Sequence, residues 1–348
     1  MQRKALGIVL LLLVVPGGAW LMLGERQSPP DNGAAGQRLF PELEQKLNDI
    51  TRIRVEHNGS VYEVLKHGDQ WQLPDKGGYP VLFERVKPLL LGLALLEKVE
   101  PKTDKPENYA RLGVQEPAVD SGNIRIELYV TGDDPVASLI VGGIRSGLIA
   151  GGRDGIYVRI SGDPRAWLVS GNLDLPQQQV DWVDRQIIHI KPKTVQRVTI
   201  RYPDGDTLEI AKRHRGVATY TVVNMPGGAV LKDGIEINTL ARGLAALNMD
   251  DVLVRAGAGL PEADAVAAVF ETWDGLRVTA WTVEQGGEIF VWFDVGANAP
   301  VVTDLSRAGT TQVNDEVLRA RLEGWVYRIP RARGDKLRKR LDDITVGQ

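Results

Sequence analysis

A chain of 348 residues has room for two domains of ordinary size. Its net charge of −3 provides no basic footprint for nucleic acid. The absence of cysteine excludes disulfides, thiol catalysis, Cys-ligated metals and a lipidated N-terminal cysteine.

Arg3 and Lys4 precede an uncharged apolar run over residues 5–24. About 20 such residues suffice to span a bilayer. Positive charge ahead of the run keeps residues 1–4 in the cytoplasm and sends everything after it across the membrane. A cleavable signal peptide is the rival, with Gly17-Gly18-Ala19 as the cut. Trp20-Leu21-Met22-Leu23 prolongs the apolar run past that cut and favours a retained anchor. A linker over residues 25–46 follows, rich in Pro, Gly, Ser and Asn at its start.

The remainder reads as two loosely matched copies, over residues 47–190 and 191–348. Thr51-Arg52-Ile53-Arg54-Val55 recurs as Gln196-Arg197-Val198-Thr199-Ile200, and Gly92-Leu93-Ala94-Leu95-Leu96 as Gly243-Leu244-Ala245-Ala246-Leu247. Each copy opens with short strands. Ile53 and Val55 alternate with polar residues, Asn58-Gly59 marks a tight turn, and Val61, Val64, Trp71 and Leu73 supply the next two strands. The second copy offers Val198, Ile200, the turn Asp204-Gly205, then Leu208, Ile210, Tyr220 and Val222. A helix comes next, with an apolar face of Phe83, Val86, Leu89, Leu93 and Leu96 in one copy and Ile237, Leu240, Leu244 and Leu247 in the other. Pro88 is expected to kink the first helix or delay its start. Further strands close each copy, around Ile124 to Val169 and around Val269 to Tyr327. The pattern predicts an α+β fold: two tandem antiparallel-sheet-plus-helix units behind a transmembrane helix.

Three motifs are distinctive: Tyr109-Ala110-Arg111-Leu112-Gly113-Val114, Ile156-Tyr157-Val158-Arg159, and Asp181-Trp182-Val183-Asp184-Arg185-Gln186-Ile187-Ile188. With these and the anchor, the sequence resembles the bacterial family catalogued as domain of unknown function 4340, over most of the chain after about Leu47. The resemblance implies a membrane-anchored protein with a large extracytoplasmic portion, similar to auxiliary parts of gliding-motility-type ABC export systems. It brings no catalytic fingerprint.

No catalytic constellation stands out in the sequence. His57 and His67 flank consecutive strands and are candidates to face one another, but no further ligand spacing completes a metal site; His189 and His214 stand apart. The glycines from Gly142 to Gly155 lack the Gly-Lys-Ser/Thr of a phosphate loop and read as a turn-rich hairpin. Asp181 and Asp184, three residues apart, suit a general acid and base. They equally suit a cap on a short helix paired with Arg185, with Trp182 in the seam between copies. The eight tryptophans are scattered among strands and do not line up as a sugar-stacking platform.

At the C-terminus, Arg331, Arg333, Lys336, Arg338, Lys339 and Arg340 crowd a segment in which Leu337, Leu341 and Ile344 repeat at helical spacing. A basic amphipathic helix can lie on an anionic membrane or an acidic partner; it can also be a solvated helix closing the second sheet. The reading is a single-pass cytoplasmic-membrane protein, N-terminus inside and bulk periplasmic, without catalytic residues, metal or cofactor. It is expected to act as an accessory or scaffold subunit beside an ABC permease or other envelope subunits. The alternative is an envelope hydrolase or sugar-binding module working in a cleft between the copies.

Overall fold

The computed structural model describes residues 35–149, 153–232, 237–297 and 315–346. The apolar run at residues 5–24 lies outside the described residues; among those described, no helix is long and apolar enough to cross a membrane.

The first half runs α1 (Leu43–Lys46), β1 (Arg52–His57), β2 (Ser60–His67), β3 (Gln70–Leu73), β4 (Tyr79–Val81), α2 (Phe83–Ala94), β5 (Glu97–Pro101), α3 (Tyr109–Leu112), β6 (Ile124–Tyr129), β7 (Ala137–Ile149), β8 (Arg153–Ile160) and β9 (Ala166–Ser170). A connector follows, carrying a 3-10 helix (Gln179–Trp182) and β10 (Gln186–Ile188). The second half runs β11 (Val195–Arg201), β12 (Thr207–Ala211), β13 (Thr221–Val222), β14 (Val230–Leu231), a 3-10 helix (Ile237–Arg242), β15 (Leu247–Asn248) and β16 (Asp251–Val254). It finishes with β17 (Val266–Thr272), β18 (Leu276–Gln285), β19 (Glu288–Ala297), α4 (Asp315–Leu322), β20 (Trp325–Ile329), α5 (Arg331–Leu337), α6 (Leu341–Ile344) and β21 (Thr345–Val346).

Most of these strands make two large antiparallel sheets, with β10-β15 and β14-β21 as separate two-stranded pairs, so the chain is α+β. One has the order β4-β3-β2-β1-β6-β7-β8-β9-β5, the other β13-β12-β11-β17-β18-β19-β20-β16. Beyond the outermost β4, the two orders correspond strand for strand, each with a crossover that carries one strand (β5 or β16) to the far edge. Local chemistry sets the register. Asn58 and Gly59 take φ of 49° and 74°, the pair of positive values a two-residue hairpin turn requires, and so His57 pairs with Ser60. Alternation then turns Ile53, Val55, Tyr62 and Val64 inward, all at most 4% exposed. One continuous apolar core joins both sheets, from Ile53 and Leu89 through Trp182 to Phe270 and Tyr327.

Several expectations change. Residues 35–46, read as linker, belong to the first half: Gly36 N–H donates to the Lys98 carbonyl (2.8 Å), Leu39 N–H to that of Leu96 (2.8 Å), and Leu39 and Leu43 are buried. Pro88 lies inside α2 without ending it, because Val86, Leu89, Leu90 and Leu93 are anchored in the core and packing outweighs the lost hydrogen bond. Phe83, placed by periodicity on the buried face, is 56% exposed. The second-half helix is a six-residue 3-10 segment. Asn238 is occupied in accepting from the Tyr220 N–H, and Gly243 ends the turn. His57 and His67 do not face each other; they sit beside opposite ends of β2, and His57 Nδ1 lies 3.0 Å from the Asn123 carbonyl.

The glycines of the repeated Gly-Leu-Ala motif share one reason. A Cβ on Gly92 would stand 2.5 Å from the Asn172 carbonyl, and one on Gly243 would stand 2.7 Å from Leu337 Cδ2. Alanine is favoured over glycine within a helix by about 1 kcal/mol. The clash at Gly92 is with backbone, so overpacking of about 1–3 kcal/mol prevails. Gly92→Ala is therefore expected to lower the denaturant midpoint at unchanged m-value; a raised midpoint would show that Asn172 yields freely.

Candidate functional site at the seam between the halves

The seam is built around the connector. Trp182 is fully buried, and its indole Nε1–H donates to the Tyr62 hydroxyl (3.0 Å), which donates to the Pro176 carbonyl (3.2 Å). The Leu82 N–H donates to the Trp182 carbonyl (2.9 Å), tying the start of α2 to the same point. From there the connector joins the second half: β10 pairs with β15, Ile190 N–H donates to the Leu244 carbonyl (2.9 Å), Met249 N–H to that of Arg185 (2.9 Å), and Ala246 N–H to His189 Nδ1 (2.9 Å). Below it, the Tyr79 ring meets Trp325 edge-on at 4.9 Å, and Lys76 pairs with Asp251 at 2.6 Å.

A cleft of about 390 Å³ opens beside this connector, lined in part by Arg85, Asp174, Asp181, Asp184 and Arg185. The structure brings Asp181 and Asp184 to one place, as the spacing predicts, but gives each a structural task. Asp181 Oδ2 accepts from the Gln177 and Gln178 N–H groups (3.1 and 3.0 Å), capping the 3-10 helix, while Oδ1 holds Arg185 at 2.6 Å. Asp184 Oδ1 accepts from the Gln186 N–H (2.9 Å) and Oδ2 pairs with Arg321 at 2.8 Å, a link across the seam. Each carboxylate oxygen thus has a donor of its own, and Asp184 in particular fixes α4 of the second half to the connector.

A second constellation joins two of the sequence motifs. Arg159, 5% exposed, donates from Nε to the Val114 carbonyl (2.9 Å) and from Nη2 to Glu116 (2.6 Å), with its guanidinium over the Tyr109 ring at 4.6 Å. Glu116 also binds Arg125, which reaches Glu56 at 2.8 Å. An arginine whose donors are met by fixed carbonyls and a carboxylate is a brace between α3 and the sheet. Among the described residues, no group of three or more His, Asp or Glu is placed to hold a metal ion.

Of the basic C-terminal residues, Arg331, Arg333 and Lys336 lie on α5, whereas Arg338, Lys339 and Arg340 lie in the non-helical link between α5 and α6, so the six do not share one helical face. Arg331 pairs with Glu284, Arg333 binds the Ala245 carbonyl, Arg338 the Thr282 carbonyl (2.9 Å), and Arg340 holds Asp204 and Asp206 (2.8 and 2.9 Å) while lying over Tyr202. Leu337 and Ile344 are buried against the second sheet. Lys336 and Lys339 complete the expected set of six. Sequence reasoning missed Tyr62, Tyr79 and Arg321. The inward phase of Tyr62 in β2 was a usable signal; the partners of Tyr79 and Arg321 are too distant in sequence to announce themselves.

Comparison with known proteins identifies the chain. The family described as Domain of unknown function (DUF4340) matches residues 71–268. That is more than half of the chain and takes in the connector with parts of both sheets, and the chain belongs to this family. No curated protein and no solved structure matches it.

Burial raises the Tyr62 hydroxyl from 10.0 to about 12, and does the same for Tyr220. Between these limits the unfolded chain loses the proton first, so their stabilisation is intact below pH 10 and is lost as pH climbs towards 12. Each contributes a slope of at most about 1.4 kcal/mol per pH unit. Tyr62→Phe leaves the Trp182 N–H without its acceptor and should cost about 1–3 kcal/mol at neutral pH. It should also flatten the alkaline loss seen by equilibrium unfolding. An unchanged alkaline limb would show that Tyr62 does not govern it.

Proposed function

We propose that this member of the DUF4340 family is a membrane-anchored, extracytoplasmic and non-catalytic accessory subunit of an envelope transport complex of the ABC type, with its two halves as tandem copies of one unit. Placement rests on the sequence: Arg3 and Lys4 ahead of the apolar run set the N-terminus inside and the sheets outside the cytoplasmic membrane. The matching strand orders of the two sheets support the tandem reading.

One observation carries the non-catalytic reading. In the seam cleft, where the hydrolase alternative would place its acid and base, Asp181 and Asp184 are committed to backbone N–H groups and to Arg185 and Arg321. A general base must be within reach of a substrate proton and able to receive it. Carboxylates that cap a turn and clamp two halves together act on shape instead. The braces at Arg159 and Trp182 point the same way, since the first fixes α3 to its own sheet and the second fixes the connector to β2.

Asp181→Asn with Asp184→Asn should weaken the clamp by about 1–2 kcal/mol, chiefly through the Asp181 cap because both ion pairs are half-exposed, lowering thermal stability and the yield of assembled complex together. Recovery of permease and ATPase subunits on affinity purification from detergent-solubilised membranes should fall in proportion to the folded fraction. A double variant with native stability and intact assembly, yet without the cellular phenotype, would transfer support to the hydrolase alternative.

A further inference from the structure

The apolar face that α2 turns outward is unusual for a solvated helix. Its buried stripe is Val86, Leu89, Leu90 and Leu93, and the opposite meridian carries Glu84, Pro88, Leu91 and Leu95. That meridian is where a helix facing water places charge. Leu91 and Leu95 are 39% and 44% exposed, Phe83 on the flank 56%, and Leu82 before it 36%. Four of the thirteen large apolar side chains exposed among the described residues therefore gather on this one helix and its two caps. A concentration of that kind marks a docking surface.

The path of the chain says what meets it. Arg38 Nη1 donates to the Leu95 carbonyl (2.7 Å), Leu39 N–H to that of Leu96 and Gly36 N–H to that of Lys98. The first described residues are thus stapled to the C-terminal end of α2. Only eleven residues separate Gly24, the end of the apolar run, from Gly36. A segment of that length reaches at most about 40 Å, and about 20 Å as a flexible chain. The exposed stripe is held close to whatever the apolar run enters, at an effective concentration in the mM range. Under such tethering a patch too weak to bind alone is engaged. Glu84 offsets Lys87, and Arg85 is paired with Asp174 at 3.5 Å, so apolar contact and not charge is the attraction.

Resting on the anchored reading above, we propose that Phe83, Leu91 and Leu95 seat α2 in the interfacial layer of the same bilayer, orienting the two sheets relative to the membrane. A phenyl ring and two leucines suit the boundary between headgroups and acyl chains.

The lack of native cysteine allows a direct test with the full chain. Single variants Leu12→Cys, Leu91→Cys and Val119→Cys carry an environment-sensitive fluorophore after reconstitution into vesicles of phosphatidylcholine and phosphatidylglycerol. Val119, 71% exposed, is the solvent control. The label at position 91 should shift to the blue and be quenched several-fold more by nitroxides at the glycerol level of the lipid than the label at 119. If the label at 12 reads hydrocarbon while that at 91 stays open to aqueous iodide, docking is refuted and the anchor stands. A label at 12 that stays in water removes the anchored reading and the docking with it. A label at 91 shielded from both iodide and lipid nitroxides would mean that protein, not lipid, covers α2, and would overturn the proposal.

Discussion

The burial of Trp182 is the constraint on which the rest of the molecule depends. An indole removed from water needs an acceptor for its N–H, and Tyr62, from the first sheet, provides it. That one requirement fixes the connector against β2 and brings its backbone to the start of α2. It also sets the direction in which β10 leaves to pair with β15 of the second half. Shift the indole and the N–H groups at Leu82, Ile190 and Met249 lose their carbonyls together. The seam is therefore cooperative: its hydrogen bonds stand or fall as a group.

The polar surface of the seam obeys the same logic. Asp184 joins the connector to Arg321 of α4, and Lys76 joins the first half to Asp251 of β16. Lys76 and Asp251 are 17% and 28% exposed, well shielded compared with most pairs on the surface. Exposed pairs contribute little to stability, whereas shielded ones resist screening by salt and define geometry. Two sheets locked in this way form a platform whose geometry is set at the connector.

Much of this was legible in the sequence, and the parts that were not have identifiable causes. Strands such as β1, β2, β11 and β12 were readable because a period of two and an Asn-Gly or Asp-Gly turn speak within ten residues. The repeated Gly92 and Gly243 announced a recurring close approach, though not its partners. Phe83 was misplaced because a helical wheel ranks residues by hydrophobicity and cannot know that a face is left uncovered. The basic C-terminus looked like one surface because the acids that absorb it lie far away: Asp204 and Asp206 precede Arg340 by more than 130 residues. The same distance hid Arg321 as the partner of Asp184. What the sequence carries poorly is pairing across long separations, and the candidate site consists largely of such pairs.

The central claim is that the two halves are one rigid body held at the connector. Native-state hydrogen exchange tests it most directly, because each amide reports the free energy of the opening that exposes it. The Leu82, Ile190 and Met249 amides, whose acceptors lie across the seam, are predicted to exchange at the same free energy as central amides of β1 and β17. Seam amides that open at distinctly lower free energy, with each sheet keeping its own separate value, would contradict it.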